Sequence, residues 1–238
     1  TDAPTLAQLV TINAETTGDI TLNTTNGALS GTAANLVLAF AGTVTTHTGT
    51  VAITDAPTLA QLVTINAETT GAITLNSTAA AYSGSAADLV LAFAGTVTTH
   101  TGTVEVTDAL SVANANTIDA ATSGVITATI TDDATDLATL TGTGNAYTIT
   151  LNNDDAATLA ELVTINAATT GAITLNALTI AANYSGSVSD LTAAFTGITS
   201  HTGTLTVTGT APTVAQANVL DAVTTGAITA TITDDATD

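Results

Sequence analysis

Three groups of side chains in this sequence have the residue types and spacing for chemistry. Asp132, Asp133 and Asp136 lie in TDDATD, a segment that returns at 233–238. They could supply three or four of the six to eight oxygens that calcium takes. Asn152, Asn153, Asp154 and Asp155 set four oxygen-bearing side chains in a row ahead of a predicted helix, the best single calcium patch in the chain. His47, His100 and His201 all occupy the motif [TS]-H-T-G, and imidazole is a common transition-metal ligand.

Each group also has a plain structural reading. Aligned with 82–95, Asp133 falls where Ser85 stands and Asp136 where Asp88 stands, which is the spacing of a helix capping box; Asp235 and Asp238 repeat it. The histidines are copies of one position. Two strands per period at about 4.8 Å each would hold successive copies about 10 Å apart, too far to share an ion. The spacing therefore favours histidines bonded to their own turns. No G-x-S-x-G elbow is present, and a catalytic histidine has no reason to be copied three times, so no enzyme activity is expected.

What must position these residues is a repeat. APTLAQLVTINAETTG at 3–18 returns at 56–71, with looser copies at 109–124, 156–171 and 211–226. Each copy closes on a glycine: Gly18, Gly71, Gly124, Gly171 and Gly226, spaced 53, 53, 47 and 55 residues apart. Such self-similarity marks an architecture in which each unit buries its apolar face only against neighbours.

Within a period we read two modules. The first opens on an N-cap (Asp2, Asp55, Asp108, Asp155 or Thr210), with Pro4, Pro57 and Pro212 in the first helical turn. Apolar residues three apart follow, as Leu59, Leu62 and Ile65; the period's glycine then serves as a left-handed C-cap. A β-branched strand comes next, at 72–76, 125–130 and 227–232. The second module, at 29–42, 82–95 and 184–197, is a helix capped by Thr32, Ser85 and Ser187, followed by strands at 49–54, 102–107 and 203–208.

Strands separated by single helices run parallel with right-handed crossovers. The expected fold is thus an α/β repeat solenoid of short helix–strand half-repeats with a period of about 53 residues. The alternative is an all-β solenoid in which these helices are turns. The array is read as continuous over 1–238, with periods 1–54, 55–107, 108–154, 155–209 and an incomplete 210–238.

Composition narrows the partners. The 238 residues include no Lys or Arg and 20 Asp plus Glu, for a net charge of −20. Nucleic acid and anionic membrane surfaces are disfavoured, because both require cations. Divalent cations, basic proteins and glycans remain, and trypsin-type proteases have no site. Hydrophobic content of 45% is too high for a disordered chain, and no apolar run is long enough to span a bilayer. No cysteine is present for disulfides or thiolate metal sites. With no Met, the sequence is expected to be part of a longer chain. Threonine makes up about a quarter of the residues and falls on alternate strand positions, as in ice-binding solenoids; Thr also suits exposed strands when basic residues are excluded. Asn23-Thr-Thr, Asn76-Ser-Thr and Asn183-Tyr-Ser are N-glycosylation sequons.

ANTIDAATSGVITATITDDATDLATLTGTGNAYTITL at 115–151 resembles the repeats of giant cell-surface proteins of marine cyanobacteria. The phrases that carry the likeness are [DN]-A-x-T-[TS]-G-x-I-T and L-T-G-T-G-N-A-Y, clearest in 109–151 and 211–238. One member of that family is required for swimming without flagella. The resemblance implies an extracellular, structural or adhesive role and supplies no catalytic residues. The expected function is a segment of an extracellular repeat filament, stalk or surface layer that assembles with copies of itself, head to tail or laterally. The competing expectations are a Thr-rich ice- or surface-binding solenoid and a calcium-dependent adhesin extender.

Overall fold

The computed structural model describes residues 3–152, 155–198 and 200–233. The chain divides into two compact units: Thr1–Asp108 with Thr117–Ile126, and Ala109–Asn116 with Thr127–Asp238. Both are α/β, with short helices alternating with short parallel strands.

The first unit runs α1 (Leu6–Glu15), β1 (Leu29–Gly31), α2 (Ala33–Ala39), β2 (Val51–Ile53), α3 (Leu59–Ala67), β3 (Ile73–Leu75), β4 (Tyr82–Gly84), α4 (Ala86–Ala92) and β5 (Val104–Ala109, all but its last residue). β2 pairs in parallel with β1 and β3, in the register Leu29↔Val51↔Ile73, and β4 pairs with β5. Alternation aims Val51 and Ile53 inward and Ala52 outward. The helices line up beside the sheet, α1 on α2, α2 on α3 and α3 on α4. α5 (Val112–Ala121) follows, its residues divided between the units.

The second unit contains β6 (Ile126–Asp132, all but its first residue), α6 (Ala134–Leu137), β7 (Ala146–Leu151), α7 (Leu159–Ala168), β8 (Ile173–Thr174) and α8 (Ala177–Ala181). β9 (Tyr184–Gly186), α9 (Val188–Phe195), β10 (Leu205–Val207), α10 (Val214–Asp221) and β11 (Ile228–Thr229) complete it. β7 joins β6 to β8, and β10 joins β9 to β11, again in parallel. The helices exclude the all-β alternative. The strands β1, β4 and β9, immediately ahead of the second-module helices, and the single turn-and-a-half of α8 were not expected from the sequence.

The core is built by neighbours. Leu62 and Ile65 of α3 are fully buried, each contributing about 1.5–3 kcal/mol. Ile12 holds the place of Ile65 one period earlier, yet it is 46% exposed where Ile65 is 0%. α3 has α2 on one side and α4 on the other, whereas α1 has only α2 among the described residues. The burial of a coil is thus a property of the coil beside it.

Two assignments from the sequence are corrected. The first-module helices are not capped by Asp55, Asp108, Asp155 or Thr210; Asp2, like Asp235 and Asp238, lies outside the described residues. The caps stand three residues later, as Thr5, Thr58, Thr158 and Thr213, each closing a capping box with Gln8, Gln61, Glu161 or Gln216. Ser111 Oγ accepts the Asn114 N–H ahead of α5 in the same way. Pro4, Pro57 and Pro212 therefore precede the caps rather than entering the first turn; Ala157 and Leu110 hold the same place ahead of Thr158 and Ser111, so the register of the cap does not depend on proline.

The second correction concerns Gly18, Gly71, Gly124, Gly171 and Gly226, none of which has a positive φ. The left-handed glycines are Gly42, Gly95, Gly144, Gly197 and Gly209, the first four following second-module helices. Gly71 is glycine for a different reason: a Cβ there would run into the carbonyl oxygen of Gly49, and one at Gly49 into that of Gly27. Gly124 stands likewise against Gly102, Gly171 against Tyr147 and Gly226 against Gly203. Gly18 meets only the Thr16 hydroxyl, at 3.5 Å.

Gly71→Ala should therefore cost more than Gly95→Ala, although only Gly95 has a left-handed backbone (φ +68°). Urea melts should give about 2–3 kcal/mol for the first and about 1 kcal/mol for the second. A reversed order would refute the close-approach role.

Candidate functional site

The most regular polar constellation in the structure is a set of caps passed from one coil to the next. Thr32 and Ser85 accept the N3 backbone N–H of α2 and α4. The first N–H of each helix goes instead to an aspartate 22 residues on: Ala33 N–H donates to Asp55 Oδ1 (2.8 Å) and Ala86 N–H to Asp108 Oδ1 (2.7 Å). Asp55 and Asp108 do cap helices, but in the coil before their own, where the carboxylate meets the positive helix end.

The other ends of these helices are closed from the opposite side. Asn13 Nδ2 donates to the carbonyls of Ala39 and Ala41 (3.1 and 2.6 Å), and Asn66 Nδ2 to Ala92 and Ala94 (2.8 and 2.9 Å). Asn166 repeats the bond on Ala194 and Thr196. Asn116 does so one turn earlier in its helix, donating to Thr139 O and accepting from Thr141 N–H. Sequence reasoning passed over these asparagines; the signal was TIN at 11–13, 64–66 and 164–166, a polar residue kept beside the apolar stripe.

The histidines are core residues. His47, His100 and His201 are buried and bridge in parallel to Thr69, Thr122 and Thr224; Asn145 bridges to Thr169 in the same fashion. Each buried threonine accepts the N–H of the following glycine and donates to the carbonyl of its bridge partner, as Thr69 Oγ1 does to His47 O (3.1 Å). The side chains lie among aromatics: His47 against Phe40, His100 between Tyr82 (4.6 Å) and Phe93 (5.6 Å), His201 between Tyr184 (5.4 Å) and Phe195 (4.6 Å).

The expectation of histidines tied to their own turns is corrected for His201, whose ring bonds reach other segments. Its Nε2 pairs with Ala182 O (2.9 Å) and its Nδ1 with Thr224 Oγ1 (3.0 Å). Burial lowers the pKa of all three imidazoles, opposed by backbone hydrogen bonds at His47 and His201. Burial pushes the Tyr184 hydroxyl up to about 12, while that hydroxyl donates to Ala157 O (2.8 Å).

The structure brings together the two acidic stretches noted in the sequence. Asp132 pairs with Leu151, and the Asn152 N–H donates to Asp132 O (3.0 Å). Carboxylate oxygens of Asp132, Asp133 and Asp136 lie within 4.8 Å of one another, the one such grouping of metal-ligating side chains among the described residues. Asp133 is the N-cap of α6, accepting the Asp136 N–H (2.8 Å), and Asp132 Oδ1 accepts the Asp133 N–H (3.0 Å). Asn153 and Asp154 lie outside the described residues. Asp155 enters through its backbone carbonyl, which accepts from Asn176 Nδ2 (2.9 Å). The helix after it, α7, takes its cap from Thr158, and hydrogen bonding from the Thr158 backbone N–H holds the Glu161 carboxyl below its ordinary value.

Threonine rows form in the second unit, where Thr129 faces Thr148 and Thr131, Thr150 and Thr174 follow one another across three strands. In the first unit the corresponding outward positions are Ser30, Ala52 and Thr74, and Ser83 opposite Glu105, with the serine hydroxyl donating to the carboxylate (3.0 Å). Among the described residues no helix is long and apolar enough to cross a membrane. No family model, curated protein or solved structure matches the chain.

Two outcomes follow from this geometry. Asn66→Ala should destabilise by about 1–2 kcal/mol in a urea melt, because it strips the partner from two helix carbonyls at once; an effect near zero would show that water replaces it. The Asp132–Asp133–Asp136 turn is closed by its own backbone N–H groups, so the melting temperature should be the same in calcium and in chelator. A rise on calcium that Asp136→Asn abolishes would instead assign an ion to the cluster.

Proposed function

We propose that this chain is a structural segment of an extracellular repeat filament, stalk or surface layer, non-catalytic, built from α/β solenoid repeats with a period of about 53 residues. The observation that carries the reading is the coil-to-coil capping. Asp55 and Asp108 stand 53 residues apart and do the same work, as do Asn13 and Asn66. Caps borrowed from a neighbour tie the stability of each coil to its place in a stack, and a stack grows by adding copies. Such a chain supplies length and stiffness. Its strand edges give copies of itself a place to join, head to tail.

The grooves support the same reading. The one along α7 and β9 is lined by Leu159, Ala160, Val163, Ser185, Gly186 and Asp190, and its carboxylate is already bonded to the Ser187 hydroxyl (2.8 Å). The extracellular location rests on the resemblance of 115–151 to cyanobacterial surface-protein repeats and on the absence of Lys and Arg, which denies trypsin-type proteases a site. Glu105 and Ala52 interrupt the threonine rows, and this weighs against a flat ice-binding face.

Two measurements test the proposal. Deleting residues 56–108, one period joined at equivalent positions, should leave a folded protein with proportionally less circular dichroism; loss of cooperative folding would overturn the solenoid. Electron microscopy of the native material should show long fibres with one repeat trace passing between subunits. Isolated short rods would overturn the filament reading.

A further inference from the structure

His100 and His201 occupy the same position in the two units, each between a tyrosine and a phenylalanine, each bridged to a buried threonine, and each 0% exposed. They differ in one respect. Both ring nitrogens of His201 have partners, Ala182 O and Thr224 Oγ1, and both partners can accept. Thr224 directs its own proton to the carbonyls of His201 and Gly203, so its oxygen is free to receive Nδ1–H. A doubly protonated imidazole fits that site with both N–H groups bonded. His100 has no hydrogen-bond partner at either ring nitrogen, and the Tyr82 hydroxyl stacked beside it has none either. An imidazolium there would be a buried charge without an acceptor.

We propose that His100 is an acid-sensitive latch: proton uptake at its imidazole opens the first unit around β4, α4 and β5, while the second unit, where an imidazolium at His201 has acceptors for both N–H groups, stays closed. The charged groups of the surrounding elements do not relieve the cost. Asp88 on α4 is bonded to Ser85, Glu105 on β5 to Ser83, and Asp108 to the Ala86 N–H; Asp119 lies on α5. No carboxylate contributes to the depressed basicity of His100, for which burial is the sole cause. His47, the first unit's second imidazole, is likewise depressed chiefly by burial.

The sign follows from linkage. A histidine whose folded pKa lies below the unfolded value leaves the native state fully stable above about pH 6.5, and stability falls as the pH drops from there through the folded pKa. The carboxylates of the unfolded chain titrate near pH 4, so the interval between about 6.5 and 5 reads the histidines. The latch does not depend on the filament reading, since it concerns the folded chain alone.

The test is amide hydrogen exchange on the full chain at about pH 7.5 and about pH 5.5, corrected for the intrinsic exchange rate and read on pepsin fragments. Residues 82–107 should lose protection by up to about tenfold at the lower pH, the most that one imidazole with an open-state pKa of about 6.5 can supply over this interval, while 184–207 keep theirs. Equal loss in both segments, or loss in neither, would overturn the proposal. His100→Asn, which installs the residue found at the equivalent position 145, should remove the acid response, so that whatever protection the lost ring packing costs is the same at both pH values. Retention of the response in a folded H100N chain would also overturn it. The imidazole resonances supply a check that needs no variant: three histidines give three signals, and His100 should take up its proton at lower pH than His201.

Discussion

The constraint on which the rest of the structure depends is the closeness of one backbone to the next at the glycine positions. Gly71 lies so near the Gly49 carbonyl that no side chain fits, and the same is true of Gly124 against Gly102 and Gly226 against Gly203. That approach fixes the register in which Val51 meets Ile73 and Leu205 meets Ile228. With the strands in register, the inward faces coincide and Ile53, Leu62 and Ile65 bury completely. The threonine before each glycine completes the contact by closing the turn and binding the neighbouring backbone, Gly71 N–H to Thr69 Oγ1 and Thr69 Oγ1 to His47 O. Buried backbone groups must find partners, and here many find them in the adjacent coil.

How much of this was legible depended on whether the governing interaction was local. The helices and their second-module caps could be read directly, because Ser85 and Asp88, or Thr32 and Asn35, act within one turn of chain. The strands at 72–76, 102–107 and 125–130 could be read from alternation. The repeated glycines stood out, yet their reason did not: a helix C-cap is the local explanation, whereas the true neighbour of Gly71 is 22 residues away. Asp55 was recognised as a helix cap and assigned to the helix that follows it in sequence, though its partner is Ala33 of the preceding coil. The histidines looked like loop residues because their surroundings are polar in sequence; the aromatics that enclose them, Tyr82 and Phe93 for His100, come from other elements.

The same locality explains the acidic cluster. TDDATD and NNDD are sixteen or more residues apart in the chain, and parallel pairing of β6 with β7 sets Asn152 beside Asp132. Nothing within either segment announces the other. Carboxylates that already accept backbone N–H groups at short range act first as caps, and this is the role that Asp132 and Asp133 fill.

The absence of Lys and Arg shapes the helices as much as the surface. Helix C-termini present unpaired carbonyls at the negative end of the dipole, and proteins commonly set basic side chains there. None of the described helices has a basic residue in its last turn, since the chain has none to offer. The amide Nδ2 of asparagine takes over, a neutral donor with two protons, and Asn13, Asn66 and Asn166 each donate to two carbonyls, one in the last turn of the neighbouring helix and one two residues on, just past its end. A lysine could have satisfied its own helix from a flexible stem. An asparagine is too short for that and must be held against the next helix by packing, so excluding basic residues converts C-capping from a local device into a bond between coils. The composition that removes cations from the surface thereby ties each coil to its neighbour.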